Sequence, residues 1–251
     1  MDDPWGEKLR SEIRIGVITY GFNSRAMVCA EKADLLEDGL ELRVKYPSGR
    51  MALQSRLIGT PNAYNILAAV ATALTLNIPV PKISEGIARL SGVPGRFEKI
   101  ENTRGVKIFV DYAHTDNALK NLLETARALD HKRIIVVFGA GGDRDTSKRA
   151  RMGETAGRLS DWAIITSDNP RSEDPMGIIA MVEEGIKAVG NGCYEIIPDR
   201  REAIRRALMM AEREDIVLVA GKGHEDYQIL GQRTIHFDDR EVVRELLSEM
   251  E

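Results

Sequence analysis

Cysteine is scarce in this sequence, which bears on both disulfides and metal binding. Only two of its 251 residues are cysteines, Cys29 and Cys193, and they form no C-x-x-C pair. Disulfide-rich secreted domains and cysteine-based zinc sites both need several cysteines at short spacing. We therefore expect two reduced, buried thiols in a reducing compartment, and we predict no metal site in this chain.

Long apolar runs and basic segments are also absent. No stretch approaches the roughly 18 apolar residues that suggest a membrane span, and the first ten residues carry acidic side chains where a signal peptide carries basic ones. The formal net charge is −4, with both signs mixed along the chain, so no positive stripe could follow a nucleic-acid backbone. We expect a globular cytoplasmic protein without membrane insertion or a nucleic-acid partner, whose ligands are small anions.

The first third of the sequence predicts short strands followed by two helices. Turn residues such as Pro47-Ser48-Gly49 separate the strand-like segments, which is typical of an antiparallel meander. Pro61 and Pro81 each stand where a helix begins. The predicted strands are 13–19, 27–33, 40–46 and 51–58, and the helices span 61–74 and 81–90. The break at 91–95 predicts a domain boundary, which gives domains 1–93 and 94–251.

The remainder alternates strands with helices. Runs such as IIVVF and IVLVA are apolar on both faces, as a parallel strand covered by helices on both sides requires. The sequence therefore predicts a doubly wound, Rossmann-like α/β sheet. The predicted strands are 108–112, 134–138, 162–167, 194–197 and 216–220, the helices 115–129, 146–159, 175–189 and 201–213, followed by a hairpin at 227–236 and a last helix from Asp238.

Two loops that follow apolar strands carry residues suited to a nucleotide. In Asp111-Tyr112-Ala113-His114-Thr115, the aspartate can accept hydrogen bonds from a ribose, and the histidine can donate to a phosphate. The alternative is a helix capped by Thr115 with His114 on the surface. The glycine-rich loop 139–145 lets backbone amides and Arg144 approach an anion, although Arg144 replaces the third glycine of a dinucleotide fingerprint. A plain tight turn explains this loop equally well.

The loop 167–173 suits an amino acid. Pro170 restricts the backbone, and Asp168, Asn169 and Arg171 surround it. Arginine can bind a carboxylate through two parallel hydrogen bonds, and acidic groups can bind an ammonium, so the loop could hold a zwitterion. A polar turn with internal salt bridges is the alternative.

A fourth loop, 221–226, follows the last apolar strand. Its Gly-Lys-Gly-His-Glu-Asp sequence is not a Walker loop, but its glycines would let a ligand lie against the main chain beside Glu225. Ligands of doubly wound sheets bind beyond the carboxyl ends of the strands, so we expect the four loops to form one cleft.

Six motifs, taken in order along the chain, resemble those of the Mur ligases, and the resemblance covers nearly the whole sequence. It implies that residues 1–93 are the last part of the central ATPase domain and that residues 94–251 are the carboxy-terminal, amino-acid-binding domain. The motifs are Gly59-Thr60-Pro61-Asn62-Ala63-Tyr64-Asn65-Ile66-Leu67-Ala68-Ala69, Gly95-Arg96-Phe97-Glu98, Asp111-Tyr112-Ala113-His114-Thr115, Gly142-Asp143-Arg144-Asp145, Asp168-Asn169-Pro170-Arg171 and Gly221-Lys222-Gly223-His224-Glu225.

The resemblance implies ATP-dependent peptide-bond formation through an acyl phosphate, with ATP and Mg²⁺ as cofactors. By the family pattern, Arg96 and His114 would act in catalysis. The same pattern assigns nucleotide contacts to Asn62, Asn65, Arg96 and Asp111. It assigns amino-acid contacts to Arg144, Asp168, Asn169, Pro170, Arg171, Gly221 and Glu225.

The Asp168-Asn169-Pro170-Arg171 motif resembles the signature of family members that add meso-diaminopimelate to a UDP-N-acetylmuramoyl dipeptide in peptidoglycan synthesis. Members that add lysine carry another residue in place of the arginine. Diaminopimelate is lysine with one more carboxylate, and Arg171 supplies the matching charge. The implied role lies in cell-wall biogenesis, and through it in cell shape and cell division.

The sequence departs from the family pattern in what it lacks. It has no G-x-x-x-x-G-K-[ST] phosphate loop, no counterpart of the lysine that helps to hold magnesium, and no domain for the UDP-sugar. We therefore expect a fragment that is inactive alone, with the main magnesium ligands in a missing part. A folylpolyglutamate synthase-like ligase and a non-catalytic binding module remain the alternatives.

Overall fold

The computed structural model describes residues 1–190 and 192–250, and the chain divides into two compact units, Met1–Val93 and Pro94–Glu251. Each unit has a hydrophobic core of its own. Among the described residues, no helix is both long enough and apolar enough to cross a membrane.

The first unit contains a four-stranded sheet, in the order β1-β2-β3-β4, and three helices. The strands β2, β3 and β4 form the predicted antiparallel meander. One face of α2 packs on this sheet, because Ile66, Leu67 and Val70 recur at helical spacing and all three are buried. The elements are α1 (Pro4–Glu12), β1 (Tyr20–Gly21), β2 (Val28–Leu36), β3 (Gly39–Tyr46), β4 (Gly49–Ser55), α2 (Thr60–Thr75) and α3 (Val80–Arg89).

The predicted strand at 13–19 is wrong. Only Tyr20–Gly21 pairs with β2, and this pairing is parallel. The apolar alternation of the segment predicts a strand, but a strand also needs a hydrogen-bonded partner, and Ile15 is 79% exposed. The helix α1 was missed although its signal is in the sequence: Asp3 accepts two backbone N–H groups as the N-cap, and Pro4 occupies the first helical position.

The second unit contains a six-stranded sheet with the order β5-β6-β10-β7-β8-β9. Its strands run parallel except β5, which is antiparallel to β6. The predicted α/β class is confirmed. The elements are β5 (Glu98–Ile100), β6 (Lys107–Asp111), α4 (Asp116–Arg127), β7 (Ile134–Phe138), α5 (Ser147–Leu159), β8 (Trp162–Ile165), α6 (Pro175–Ala188), β9 (Tyr194–Ile196), α7 (Arg200–Met210), β10 (Ile216–Ala220), β11 (Tyr227–Leu230), β12 (Arg233–His236) and α8 (Asp239–Met250).

Both faces of the central strands are buried. On β7, Ile135 and Val137 belong to a cluster with the apolar residues of α7 and α8. The intervening Val136 and Phe138 point to the opposite face and are also fully buried. This explains why an uninterrupted apolar run, rather than an alternating one, forms each central strand.

Helices α5 and α6 approach each other closely through two glycines. A Cβ atom on Gly153 would lie 1.9 Å from the carbonyl oxygen of Val182, and one on Gly185 would lie 1.8 Å from that of Ala150. No side chain fits at such distances, so the two backbones touch directly.

The two cysteines differ in their environment. Cys29 is buried, as predicted, and burial raises the pKa of its thiol. Cys193 is exposed, so the prediction of a buried thiol is wrong there. It lies just before the short strand β9, which is at the end of the sheet and whose residues are only partly buried.

Candidate functional site

Four loops adjoin one another at the carboxyl edge of the second unit's sheet. They follow β6, β10, β7 and β8, which are neighbours in that order. The amide of Gly221 donates to the carbonyl of Asp111 at 3.0 Å, and the amide of Gly142 donates to the carbonyl of Asn169 at 2.9 Å. Main-chain hydrogen bonds therefore join the loops in pairs across the edge.

Glycines make this joining possible. Gly223 has a φ of +55°, and a Cβ there would lie 2.7 Å from Cβ of Tyr112. A Cβ on Gly95 would lie 2.1 Å from the amide nitrogen of His224, and one on Gly142 would lie 1.9 Å from the carbonyl oxygen of Pro170. The loops thus pack backbone against backbone, and the glycines are required by close approach.

Four polar side chains meet between the loops after β8 and β10. Nζ of Lys222 lies 3.8 Å from Oδ1 of Asp168, 3.6 Å from Oε2 of Glu225 and 3.5 Å from Oδ1 of Asn169. Nδ2 of Asn169 donates to Oε2 of Glu225 at 3.1 Å. The structure therefore brings three of the predicted amino-acid-binding residues together around one lysine.

Asp168 is the most deeply placed acid of this group. It is 6% exposed, and its Oδ1 has no hydrogen-bond partner among the described residues. Burial raises the pKa of its carboxyl group, while Arg200 and Lys222 oppose that rise. An unpartnered buried carboxylate oxygen at a loop edge is a group that a ligand N–H could satisfy.

A buried ion pair lies next to this group of four side chains. Arg200, the first residue of α7, donates from Nε and Nη2 to the carboxylate of Asp239 at the start of α8, at 2.8 and 2.7 Å. Both side chains are fully buried. Nη2 of Arg200 also donates to the carbonyl of Ala220 at 3.0 Å, next to the loop that carries Lys222.

Arg171 helps to hold its loop in place, and part of its guanidinium group is free to bind a ligand. Its φ of +52° is left-handed, and its amide and carbonyl bond to Ile229 and Gly231 of the final hairpin. Its Nη1 donates to the carbonyl of Gly142 at 2.7 Å. The side chain is partly exposed, so the rest of the guanidinium can still meet a carboxylate. Pro170 is buried beside Gly142.

Arg144 does not join the cluster. It is exposed, and its Nη1 donates at 3.0 Å to the carbonyl of Asp143, its own neighbour. The loop that carries it is held from within the fold by fully buried Arg149, which donates to both carboxylate oxygens of Glu173 and to the carbonyl of Gly141. Its partner Glu173 in turn accepts the amide of Asp143.

The residues predicted for the nucleotide form a second group at the end of β6. The two carboxylate oxygens of Asp111 accept the amides of Phe97 and Ala113, at 2.7 and 2.8 Å. Burial raises the pKa of this carboxyl group, and the two amides oppose that rise. Each oxygen keeps one lone pair for a further donor.

Tyr112 stands between the two groups. The Arg96 guanidinium lies 5.0 Å from the centre of its ring, and the His114 ring packs edge-on at 4.5 Å. Its hydroxyl donates to Oε1 of Glu225 at 3.3 Å. Nδ1 of His114 donates to the carbonyl of Tyr112 at 2.8 Å, which leaves Nε2 as the free nitrogen.

Asn62 and Asn65 lie in the first unit, at the start of α2. Asn62 is buried and donates to the carbonyl of Ile58 at 2.8 Å, while exposed Asn65 donates to Oδ1 of Asn62 at 3.2 Å. The pair occupies one face of the helix because the two residues are three apart. Asn62 thus serves the local fold, and Asn65 presents the more accessible amide.

A separate apolar cavity of about 680 Å³ lies within the first unit, lined by residues of α1 and of the segment before β1, with Tyr64. Burial and a hydrogen bond to Asp2 raise the pKa of Tyr64 to about 12. The cavity contains none of the residues that were predicted to bind nucleotide or amino acid.

Sequence reasoning missed three buried cations: Lys222, Arg149 and Arg200. Arg149 had a readable signal, because it shares a helical face with buried Met152, Gly153 and Ala156. Arg200 follows Asp199, the N-cap of α7, and only its spatial partner on α8 reveals its burial.

Comparison with known proteins gives matches in both units. Residues 95–223 match the family model described as Mur ligase, glutamate ligase domain, and residues 1–73 match the Mur ligase middle domain. A protein of Syntrophomonas wolfei subsp. wolfei, named UDP-N-acetylmuramoyl-L-alanyl-D-glutamate–2,6-diaminopimelate ligase, is 46% identical over 98% of this chain and 50% of its own length. The chain spans about half the length of the curated relatives it matches.

Solved structures agree with these matches. One of a UDP-N-acetylmuramoyl-L-alanyl-D-glutamate–2,6-diaminopimelate ligase is 33% identical with a TM-score of 0.65, over 100% of this chain and 52% of that one. A folylpolyglutamate synthase of Mycobacterium tuberculosis, complexed with ADP and AMPPCP, has a TM-score of 0.66 over 86% of this chain and 49% of that one. At 18% identity, this second likeness shows a shared fold alone.

Proposed function

We propose that this chain, which belongs to the Mur ligase family, forms part of an ATP-dependent ligase that adds meso-diaminopimelate to UDP-N-acetylmuramoyl-L-alanyl-D-glutamate. The support is the 46% identity over nearly the whole chain to a relative of that name. The corresponding role is peptidoglycan precursor synthesis in the cytoplasm, and thus cell-wall biogenesis, cell shape and cell division.

The observation that carries the proposal is the grouping of opposite charges at the carboxyl edge of the second unit. Asp168 and Glu225 offer carboxylates on one side of Asn169, and Arg171 offers a guanidinium beside the same loop. An amino acid is a zwitterion, so it needs both signs within a few ångströms. Diaminopimelate has two carboxylates and two ammonium groups, and the cluster matches such a ligand better than a neutral one.

Gly221 contributes space to this site. It has a φ of +123°, and a Cβ there would contact Oδ2 of Asp168 at 3.3 Å. A side chain at this position would cover the acid that the ligand ammonium must reach. We propose Arg144, which is exposed, as a further cation for a ligand carboxylate.

The second group supports a nucleotide. ATP supplies the phosphoryl group that activates the precursor's carboxylate, and magnesium neutralises charge on its phosphates. Arg96, which lies over the Tyr112 ring, would donate to phosphate oxygens, and His114 would face the nucleotide with Nε2, the ring nitrogen that its bond to the Tyr112 carbonyl leaves free. Asp111 would accept from a ribose hydroxyl through its remaining lone pairs, and Asn65, with Asn62 behind it, would meet the nucleotide in the first unit.

Magnesium is assigned no ligand here. Within residues 1–190 and 192–250, no three His, Cys, Asp or Glu side chains are grouped so that they could hold a metal ion. We propose that these units place the amino acid and neutralise phosphate charge, and positioning of this kind accelerates such a transfer.

A titration followed by NMR distinguishes the proposal from its alternatives. Addition of meso-diaminopimelate should shift the amide resonances of Asp168, Asn169, Arg171 and residues 221–225, and a folyl glutamate should leave them unchanged. Shifts caused by the folate, without shifts caused by diaminopimelate, would favour a folylpolyglutamate synthase-like ligase. A chain whose loops respond to neither compound, nor to the UDP-N-acetylmuramoyl dipeptide with ATP, would be a non-catalytic module.

A further inference from the structure

Lys222 is a fully buried cation at the centre of the amino-acid site, and the family resemblance gives it no role. It is the second residue after β10 and lies between Gly221 and Gly223, with a relative exposure of 0%. Its Nζ also lies 5.4 Å from the centre of the Tyr227 ring. A lysine is rarely buried in this way, because its ammonium loses its hydration.

Burial lowers the pKa of Lys222, and the neighbouring carboxylates of Asp168 and Glu225 oppose that fall. The ammonium stands 3.5 to 3.8 Å from the three oxygens that surround it, on Asp168, Asn169 and Glu225. These distances are longer than strong charge-assisted hydrogen bonds. The lysine therefore acts mainly as a central charge that all three side chains face.

The amide of Asn169 is oriented by this arrangement. Its Oδ1 faces Lys222 and accepts the backbone amide of Ile229 at 2.9 Å, while its Nδ2 donates to Glu225. Reversal of the amide would place its NH₂ group against both the ammonium and the Ile229 N–H. The ammonium of Lys222 and the Ile229 N–H together set the direction of the Asn169 side chain and, through it, of the Glu225 carboxylate.

The local charges also fit a ligand ammonium. Asp168, Glu225 and Asp239 are acidic, and Lys222 and Arg200 are basic, which leaves one negative charge in excess when all five are ionised. Without Lys222, Asp168 and Glu225 would share the site with no cation between them. The two carboxylates would then repel each other, and they would no longer be held together towards a ligand ammonium.

We propose that Lys222 is a positioning residue for the amino-acid site, whose charge orients Asn169 and Glu225 and keeps Asp168 available to the ammonium of the incoming diamino acid. This inference rests on the proposed function. It predicts that removal of the charge weakens ligand binding even where the protein still folds, although the loss of one member of a buried charge group also costs stability.

The test is Lys222→Met, which keeps an unbranched side chain, one atom shorter, and removes its charge. Lys132→Met is the matched control, because Lys132 precedes β7 at the opposite edge and pairs with exposed Glu212. In the ligand-free protein, Lys222→Met should speed hydrogen exchange of the Ile229 amide by about tenfold or more, with no similar change in the amides of β7. In calorimetry it should weaken binding of meso-diaminopimelate at least tenfold, and Lys132→Met should do neither.

The two readouts separate this inference from the proposed function. If the unsubstituted protein does not bind meso-diaminopimelate, the proposed function fails, and Ile229 exchange still decides whether Lys222 orients Asn169. Unchanged Ile229 exchange, or diaminopimelate binding within twofold of the unsubstituted protein, would overturn the inference. If the Lys222→Met protein does not fold, Glu225→Ala takes its place, because it removes the carboxylate to which Asn169 donates. The inference is then overturned unless the Glu225→Ala protein folds and its Ile229 amide exchanges faster.

Discussion

Nη1 of Arg171 donates to the carbonyl oxygen of Gly142 at 2.7 Å, so the side chain that would select the substrate also ties two loops together. Gly142 also packs closely against Pro170: a Cβ on Gly142 would lie 1.9 Å from the carbonyl oxygen of Pro170. Any substitution of Arg171 therefore changes loop geometry as well as charge, and an experiment on specificity needs a control that separates the two.

The buried pair beneath the site should be essential for stability. Asp239→Asn would leave the Arg200 guanidinium, which is fully buried, without the carboxylate to which it donates two hydrogen bonds. We expect a loss of about 3–5 kcal/mol in the free energy of unfolding, as for other broken buried pairs. Chemical denaturation measures it. The control Glu154→Gln breaks only an exposed i,i+4 pair with Arg158 and should change stability by less than about 0.5 kcal/mol. Equal effects would mean that burial of the Arg200 pair does not matter.

The close contact between α5 and α6 should make the protein sensitive to a side chain at Gly185, and Gly177, also in α6, provides the control. Gly185→Ala places a Cβ 1.8 Å from the carbonyl oxygen of Ala150, so the helices must separate, at a cost of about 1–3 kcal/mol. Gly177→Ala meets nothing nearer than 3.6 Å and should stabilise by up to about 1 kcal/mol through helix propensity. Thermal unfolding should give a lower Tm for Gly185→Ala and a higher Tm for Gly177→Ala. A change of Tm in the same direction for both would contradict the described packing of the two helices.

The carboxylate of Glu173 should make the stability of the protein depend on pH in the acidic range. Hydrogen bonds from Arg149, and from the amide of Asp143, lower its pKa from 4.5 to about 2. A depressed acidic pKa contributes stability above the unfolded value, and that contribution is lost as the pH falls from about 4.5 towards 2. Glu173→Gln should therefore lower Tm at pH 6, with the gap from the unsubstituted protein closing towards pH 2. A gap that does not change with pH would show that the carboxylate charge is not involved.

The second unit should fold without the first. Its sheet is completed by its own strands, β5 to β10, and its core cluster contains residues from Ile100 onwards. A chain that starts at Pro94 should give a dispersed NMR spectrum and one cooperative unfolding transition. A molten or insoluble product would place the domain boundary elsewhere.

Much of this fold follows from local pattern. The runs at β7 and β10 were predicted to the residue, because strands buried on both faces leave an uninterrupted apolar signature. The segment 13–19 has an equally apolar alternation and forms no strand, because alternation does not specify a partner. The position of β10 between β6 and β7 could not be predicted either, because the order of strands in a sheet depends on contacts between residues that are far apart in the sequence.

Sequence reasoning pointed to the acidic and amide side chains of the candidate site, and not to the cation among them. The loops after strands mark Asp168, Asn169 and Glu225 as candidate site residues, but the charge they share comes from Lys222, whose contact with Asn169 spans 53 residues. The Arg200 pair spans 39 residues. Burial of a cation is a property of the three-dimensional fold, and a sequence without an alignment carries no direct sign of it.

The selectivity of Arg171 tests the central proposal most directly. Diaminopimelate differs from lysine by one carboxylate, and the loss of one charge-assisted pair should cost about 2–4 kcal/mol, roughly 30- to 1,000-fold in binding. Because Arg171 also contacts Gly142, Arg171→Lys serves as the control: it keeps the positive charge but not the fork that spans the carbonyl and a ligand.

The measurement is the ratio of diaminopimelate to L-lysine use, as binding by this chain and as kcat/KM in the whole ligase, for the unsubstituted protein and both variants. We predict that Arg171→Ala lowers use of diaminopimelate 30-fold or more, leaves the weak use of lysine nearly unchanged, and is partly corrected by Arg171→Lys. If Arg171→Ala lowered both amino acids equally, Arg171 would be a structural residue of its loop, and the assignment of diaminopimelate as the substrate would be contradicted.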